Sequence, residues 1–138
     1  MLVSDVMTRE VKIASPDDLL QHAAQLMEQN DFGMLPVGEN DRLVGTLTDR
    51  DITVRAVARG LSPQQCKVRE VMSPDVKYVY EDESLEDVAR NMSQLQVRRL
   101  PVLDRKKRLV GIVSLGDLAV KKTKPAGDAL KSISQHTH

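Results

Sequence analysis

The feature that most constrains this chain is an internal repeat. Laid on itself at an offset of 65 residues, the sequence superimposes Val6-Met7-Thr8 on Val71-Met72-Ser73, Val11-Lys12 on Val76-Lys77, Leu20 on Leu85, Ala24 on Ala89 and Met27 on Met92. Leu35-Pro36-Val37 meets Leu100-Pro101-Val102 in the same register. After one inserted residue, Leu43-Val44-Gly45 meets Leu109-Val110-Gly111, and Asp51 meets Asp117. A register held that long marks two copies of one supersecondary unit, each too small to bury an adequate core alone. The 138 residues together suit one globular body.

Each copy follows the same order. A short apolar run (Val11 to Ala14; Val76 to Tyr80) leads into Ser15-Pro16-Asp17-Asp18 or Glu81-Asp82-Glu83-Ser84, whose acids and hydroxyls suit a helix start. Leu19, Leu20, Ala23, Ala24, Leu26 and Met27 then recur at helical spacing, as do Leu85, Val88, Ala89 and Met92, so each helix carries one apolar face. Met34 to Val37 and Leu43 to Leu47 flank a polar turn, as do Leu100 to Leu103 and Leu109 to Val113, which predicts two hairpins. A last helix opens at Thr48 or Ser114. The fold class predicted is α/β, as two β-α-β-β-α repeats. Their extents are 4–60 and 70–122, with a linker at 61–69 signalled by Arg59-Gly60-Leu61-Ser62-Pro63 and a polar tail at 123–138. Asp128 to Ser134 suits a helical turn or two before a frayed end.

Composition removes several functions. Twenty basic and twenty acidic residues cancel, so no net field draws the chain to nucleic acid or an anionic membrane. Phe32, Tyr78 and Tyr80 are the whole aromatic set, too few for a base-stacking platform. No apolar run approaches the ~20 residues of a membrane helix, and a cytoplasmic location is expected. Cys66 stands alone, which excludes an intrachain disulfide and a cysteine-based zinc cluster and reads as a buried or idle thiol. His22 has no second ligand at helical spacing and reads as a surface histidine; His136 and His138 lie in the tail, where two histidines can pick up stray metal. Arg105-Lys106-Lys107-Arg108 reads as a solvated hairpin tip, and Tyr78 and Tyr80 share a strand face, Tyr80 toward the core and Tyr78 toward a cleft. With no Ser-His-Asp, Cys-His or paired-acid arrangement and no P-loop, neither catalytic nor metal residues are assigned.

One motif can carry chemistry: Gly45-Thr46-Leu47-Thr48-Asp49-Arg50-Asp51 and Gly111-Ile112-Val113-Ser114-Leu115-Gly116-Asp117. A hydroxyl followed three residues later by an acid is a capping box, and that alone accounts for the pattern. The same groups also suit a nucleotide, because a hydroxyl can donate to a phosphate oxygen and a carboxylate can accept from both ribose hydroxyls.

The repeat order, the two Leu-Pro-Val segments and the doubled Gly-x-x-hydroxyl-x-x-Asp motif resemble a tandem pair of cystathionine-β-synthase (CBS) domains, the regulatory unit called a Bateman module. Thr48-Asp49-Arg50-Asp51-Ile52 and Val97-Arg98-Arg99 are similar to stand-alone bacterial members. The resemblance runs from Ser4 to about Lys122. It implies repeats packed with pseudo-twofold symmetry, a disc-shaped homodimer, and two clefts for adenosine-containing ligands: AMP, ADP or ATP ahead of S-adenosylmethionine or NAD. No resident cofactor is required. Carried over, one cleft takes Thr46, Thr48 and Asp51 with Val76, Lys77, Tyr78, Arg98 and Arg99. The other takes Ile112, Ser114 and Asp117 with Val11, Lys12, Ile13, Gly33 and Met34. On that grouping Arg98 and Arg99 bias phosphate toward the cleft containing Asp51.

The expected function is therefore a nucleotide sensor acting through a change of shape or association on an unknown effector protein, not an enzyme. The competing reading is a structural or protein-interaction module whose motif acids only cap helices.

Overall fold

The structure, a computed structural model, describes residues 1–120. It divides into two compact units: a middle unit, Lys12–Val76, and a terminal unit, in which Met1–Val11 joins the chain from Lys77 onward.

In the middle unit, α1 spans Leu20–Asn30, β1 Met34–Glu39 and β2 Arg42–Thr48; α2, Asp49–Asp51, continues as a π-helical turn over Ile52–Val57. The antiparallel β1–β2 hairpin turns on Asn40 and Asp41, both at positive φ, as a two-residue hairpin loop requires. α1 packs Leu20, Ala23 and Met27 into a core shared with Leu35, Val37, Leu47, Ala56, Val68, Val71 and Cys66. Burying a leucine such as Leu20, Leu35 or Leu47 fully is worth about 1.5–3 kcal/mol each. Cys66 is a buried thiol, and burial pushes its pKa up.

The run expected as this unit's first strand shrinks to one parallel bridge, Ala14 to Val37. Ala14 N–H donates to Pro36 O at 3.0 Å and Gly38 N–H to Ala14 O at 2.9 Å. The next bond toward the N-terminus needs an N–H from Pro36, which has none. Lys12 and Ile13 are accordingly exposed and outside the ladder.

The terminal unit has β3, Val79–Tyr80; α3, Leu85–Leu95; β4, Arg99–Leu103; β5, Leu109–Ser114; and α4, Leu115–Val120. Its sheet runs β3-β4-β5, parallel then antiparallel. β3 is short for the same reason, since Pro101 cannot extend the ladder to Lys77. Leu85, Val88, Ala89 and Met92 of α3 pack on Val79, Leu100, Val102, Val113, Leu115 and Leu118. Asp31 and Gln96 end α1 and α3 in the left-handed conformation, and Gly60, at φ 74°, follows the π-helical turn over Ile52–Val57.

The compact units do not coincide with the sequence repeats. The leading residues of each repeat close the other repeat's core. In the terminal unit, Val3 N–H reaches Glu83 O at 2.9 Å, Ser4 N–H reaches Glu81 O at 3.0 Å, and Thr8 and Ile112 exchange both backbone bonds at 2.9 Å. In the middle unit, Val68 N–H reaches Asp18 O and Arg69 N–H reaches Pro16 O, each at 2.9 Å, while Thr46 and Ser73 exchange bonds at 2.9 and 2.8 Å. Val3 and Met7 thereby enter the terminal core, and Val68 and Val71 the middle one.

The cap of the first helix differs from expectation more than that of the second. Ser84 caps α3, accepting from Asp87 N–H at 3.1 Å, whereas α1 begins at Leu19 with no side-chain cap. Asp18 instead accepts from Ser15 N–H at 2.8 Å, and Asp17 pairs with Arg69 Nη2 at 2.7 Å. Leu19, expected on the apolar face, is exposed.

Candidate functional site

Both hydroxyl-acid motifs are capping boxes at a strand-to-helix junction. Thr48 Oγ1 accepts from Asp51 N–H at 3.0 Å, and Asp51 Oδ2 accepts from Thr48 N–H at 2.9 Å. Ser114 Oγ accepts from Asp117 N–H at 3.1 Å, and Asp117 Oδ2 accepts from Ser114 N–H at 2.9 Å. Each box leaves the hydroxyl proton and the carboxylate's Oδ1 outside the cap. In the middle unit Asp51 Oδ1 lies 3.9 Å from Arg55 Nε, and Arg55 Nη1 donates to Val71 O and Met72 O at 3.3 and 3.2 Å.

Strand register decides what surrounds each box. In the middle unit Met34 stands opposite Thr48 and Pro36 opposite Thr46, while Leu35 and Leu47 face the core. Met34, Thr46 and Thr48 therefore share the face turned away from the core. Gly33 adjoins them: its carbonyl accepts from Asp49 N–H at 3.0 Å, and a Cβ there would lie 3.3 Å from Asp49 Oδ2.

In the terminal unit Arg99 stands opposite Ser114 and Pro101 opposite Ile112, with Leu100 and Val113 facing the core. Leu115 N–H donates to Arg98 O at 2.9 Å. Burial pushes the Arg99 guanidinium pKa down, and the neighbouring Asp117 carboxylate pulls it back up. Tyr80 pairs with Leu103 and Val79 with Val102, so Tyr78 and Tyr80 lie on the Arg99 face. Their rings meet edge to face at 5.5 Å. Tyr80 is half-buried outside the core, with the Arg105 guanidinium 4.2 Å from its ring centroid. Arg105 in turn grips Asp82 through Nε at 2.9 Å and Nη2 at 2.8 Å. The basic tip is thus anchored, and Asp82 serves it rather than the helix start.

Of the first predicted set, Thr46, Thr48, Asp51 and Val76 belong to the middle unit and Lys77, Tyr78, Arg98 and Arg99 to the terminal one. Of the second, Lys12, Ile13, Gly33 and Met34 belong to the middle unit and Val11, Ile112, Ser114 and Asp117 to the terminal one. Within the terminal unit Arg99 accompanies Ser114 and Asp117, and within the middle unit Met34 accompanies Thr48.

Two roles escaped the sequence reading. Gly45 and Gly111 are the seats of the exchanged leaders: a Cβ on Gly45 would meet Met72 Sδ and Ser73 O at 2.9 Å. Asp49 and Arg55 join the middle box, Asp49 at Gly33 and Arg55 at Asp51. The repetition of both methionine and glycine at equivalent positions of the two copies was the available signal. His22 is exposed, with Nδ1 4.0 Å from Asp18 Oδ2. Among the described residues no three His, Cys, Asp or Glu side chains gather as a metal site; His136 and His138 lie outside those residues. Among them, too, no helix is long and apolar enough to cross a membrane.

A duplicated sheet-and-helix unit whose hairpins end in hydroxyl-carboxylate boxes defines an α/β tandem-repeat module. The chain belongs to the CBS-domain family, whose model matches residues 3–57 and 68–124. It is 47% identical over 139 residues to the CBS domain-containing protein YhcV of Bacillus subtilis, covering 99% of this chain and 98% of that protein. It is 40% identical over 116 residues to Hypoxic response protein 1 of Mycobacterium tuberculosis, covering 83% and 80%. A crystal structure of Hypoxic Response Protein I with two coordinated zinc ions superimposes with a TM-score of 0.77 at 38% identity, over 87% of this chain and 98% of that one. The CBS domain pair of MJ0100, in complex with 5′-methylthioadenosine and S-adenosyl-L-methionine, gives 0.73 at 28% identity, over 89% and 100%. CBSX2 in complex with AMP gives 0.75 at 26% identity, over 88% and 95%.

Proposed function

We propose that this chain is a regulatory module that binds adenosine-containing ligands, AMP, ADP or ATP foremost, at its two hydroxyl-carboxylate boxes and signals through a change of shape or association. The observation that carries the reading is the doubled box itself, in which a hydroxyl proton and a carboxylate oxygen remain beyond the cap. Binding of AMP by CBSX2 and of S-adenosyl-L-methionine by the MJ0100 pair supports the same ligand class here. Hypoxic Response Protein I holds two coordinated zinc ions, and among the described residues of this chain no three His, Cys, Asp or Glu side chains gather as such a site. Exposed Val54, Val57 and Leu61 support self-association, which in this reading is the homodimer through which an unknown effector protein senses the ligand.

The test is thermal unfolding with and without AMP, ADP, ATP and S-adenosylmethionine. A ligand at a hundredfold excess over Kd stabilises by about 2.7 kcal/mol. The absence of a shift with every one of them would leave the second reading, an interaction module. That reading is favoured by one specific fact: both boxes already satisfy backbone donors as helix caps.

A further inference from the structure

We infer that Met1–Thr8 is an exchangeable arm, and that its seat in the terminal unit is an interface for the same segment of a second copy of this chain. Two copies thereby close each other's terminal units by trading arms. The exchange concerns how a core is closed and depends on no ligand.

The seat is built from residues that follow the middle unit. Val3 N–H and Ser4 N–H donate to Glu83 O and Glu81 O, Leu85 N–H donates to Met1 O at 3.2 Å, and Thr8 pairs with Ile112. Val3 and Met7 are buried among side chains of α3, β4 and β5, with Gly111 beneath the Met7 sulfur. A second copy offers the same carbonyls, the same glycine and the same core, so trading arms gives up no contact. The tether allows it. Arg9 to Ile13 join the arm to the middle unit; Arg9, Glu10, Lys12 and Ile13 are exposed, and among the described residues none of the five makes a backbone-to-backbone hydrogen bond. Redirecting the arm therefore breaks no ladder within its tether.

The equivalent segment of the middle unit is clamped where this one is not. Just ahead of it, Cys66 O accepts from Leu20 N–H at 2.8 Å and Pro63 O from Gln21 N–H at 3.0 Å, so the chain leading into it is bonded into the same unit. Arg69 grips Asp17 Oδ1 through Nε at 3.0 Å and Nη2 at 2.7 Å, with Lys67 Nζ 3.9 Å away, and Arg55 Nη1 donates to Val71 O and Met72 O. At the repeat offset Lys67 and Arg69 become Leu2 and Ser4, and Asp17 becomes Asp82, which Arg105 of the hairpin tip occupies. The arm's own side-chain bonds turn inward: Asp5 Oδ2 accepts from Leu2 N–H at 2.8 Å, and Arg9 Nη2 donates to Ser4 O at 3.3 Å. Among the described residues no side-chain hydrogen bond or ion pair ties the arm to the rest of the terminal unit. The two segments thus share a backbone pattern, and the arm is the one that opens more readily.

Cross-linking reads the exchange directly. Thr8→Cys with Ile112→Cys, in a Cys66→Ser background, sets two cysteines across a bridge whose α-carbons stand about 5.5 Å apart, within disulfide range. The contact is the same whichever chain supplies the arm, so the bond forms either way and only its parentage differs. Equal amounts of isotopically heavy and light chain are held together at about 10 µM to about 1 mM, a range reaching the effective concentration of a tethered segment, and are then oxidised. We expect mixed heavy-light peptide links by mass spectrometry, rising with concentration toward about half of the total, the limit of random pairing. Same-isotope links alone at every concentration overturn the inference; copies that associate only through exposed Val54, Val57 and Leu61 give that result. Thr46→Cys with Ser73→Cys, the corresponding bridge of the middle unit, should give same-isotope links, and mixed links there overturn the distinction between the two segments. Ser4→Arg with Arg105→Asn frees Asp82 and moves the middle unit's clamp onto the arm. Because that clamp holds the arm equally in either arrangement, it should slow the appearance of mixed links about threefold, the effect of an exposed ion pair, and an unchanged rate overturns the clamp as the cause.

Discussion

The Met7 sulfur lies 2.7 Å from the point where a Cβ on Gly111 would stand, and the carbonyl of Thr8 lies 2.9 Å from it. Met72 and Ser73 close on Gly45 in the same way. A glycine that opens a functional motif by sequence is, in the fold, the floor on which the other repeat's leader rests.

Gly111→Ala and Gly45→Ala are therefore each expected to destabilise the protein by about 1–3 kcal/mol, the usual cost of overpacking. Denaturant unfolding measures the loss. Met7→Ala removes the clashing sulfur, so combining it with Gly111→Ala should cost less than the two single losses added together. Strict additivity would show that the leader does not bear on the glycine.

The cap and the ligand contact at Ser114 can be separated. Ser114→Ala is expected to cost about 0.5–2 kcal/mol by losing the acceptor for Asp117 N–H, while Ser114→Asn retains a capping oxygen and stays near wild-type stability. The same Ser114→Asn chain should nevertheless lose adenosine-ligand affinity, because its amide fills the hydroxyl's approach. Thr48→Ala and Thr48→Asn should divide in the same manner.

Among the described residues, three carboxylates contribute to the acid limb of stability. Asp17 is held below its ordinary value of 3.8 chiefly by hydrogen bonding to Arg69, Asp82 by Arg105, and Asp104 by Arg108 N–H and its guanidinium. A carboxyl depressed by folding contributes stability above its ordinary value and loses it as pH falls through the folded value. Unfolding free energy should thus be insensitive to these groups from neutral pH down to about 5 and fall below about 4. Asp104→Asn is expected to flatten that acid limb, as followed by urea midpoints across pH.

Tyr78 and Tyr80 are the only tyrosines, and the chain has no tryptophan, so near-ultraviolet circular dichroism reports on one edge-to-face pair. Arg105→Ala removes both the guanidinium over Tyr80 and the grip on Asp82. The near-ultraviolet signal should fall sharply while the unfolding midpoint barely moves, since the lost contacts are exposed. An unchanged signal would mean that the tyrosines hold their geometry without the arginine.

How much of this was written in the residues differs from element to element. The α1 and α3 faces were readable because apolar side chains recur on one side of a helix, and the hairpins because Asn40-Asp41 and the Asp104 turn sit between apolar runs. The shortness of the leading strands was readable in principle, since Pro36 and Pro101 cannot donate. The exchange of leaders was not. A six-residue run such as Val3 to Thr8 carries no periodicity that says which hairpin it joins; only the three-dimensional seat at Gly111 distinguishes them. At the candidate site the hydroxyls and acids were legible as boxes, but the company each keeps was not. Whether Arg99 accompanies Asp117 depends on strand register, which a single sequence leaves open.

The leader exchange also orders events during synthesis. The middle unit is complete in sequence once Val76 has been made, so its core can close while the rest of the chain is still being translated. Met1–Val11, which precede the middle unit along the chain, have no seat until Gly111 and Ile112 follow them. A segment made before the middle unit thus finds its place only after it, and it waits through that interval with Val3 and Met7 uncovered, a stretch a chaperone would have reason to hold.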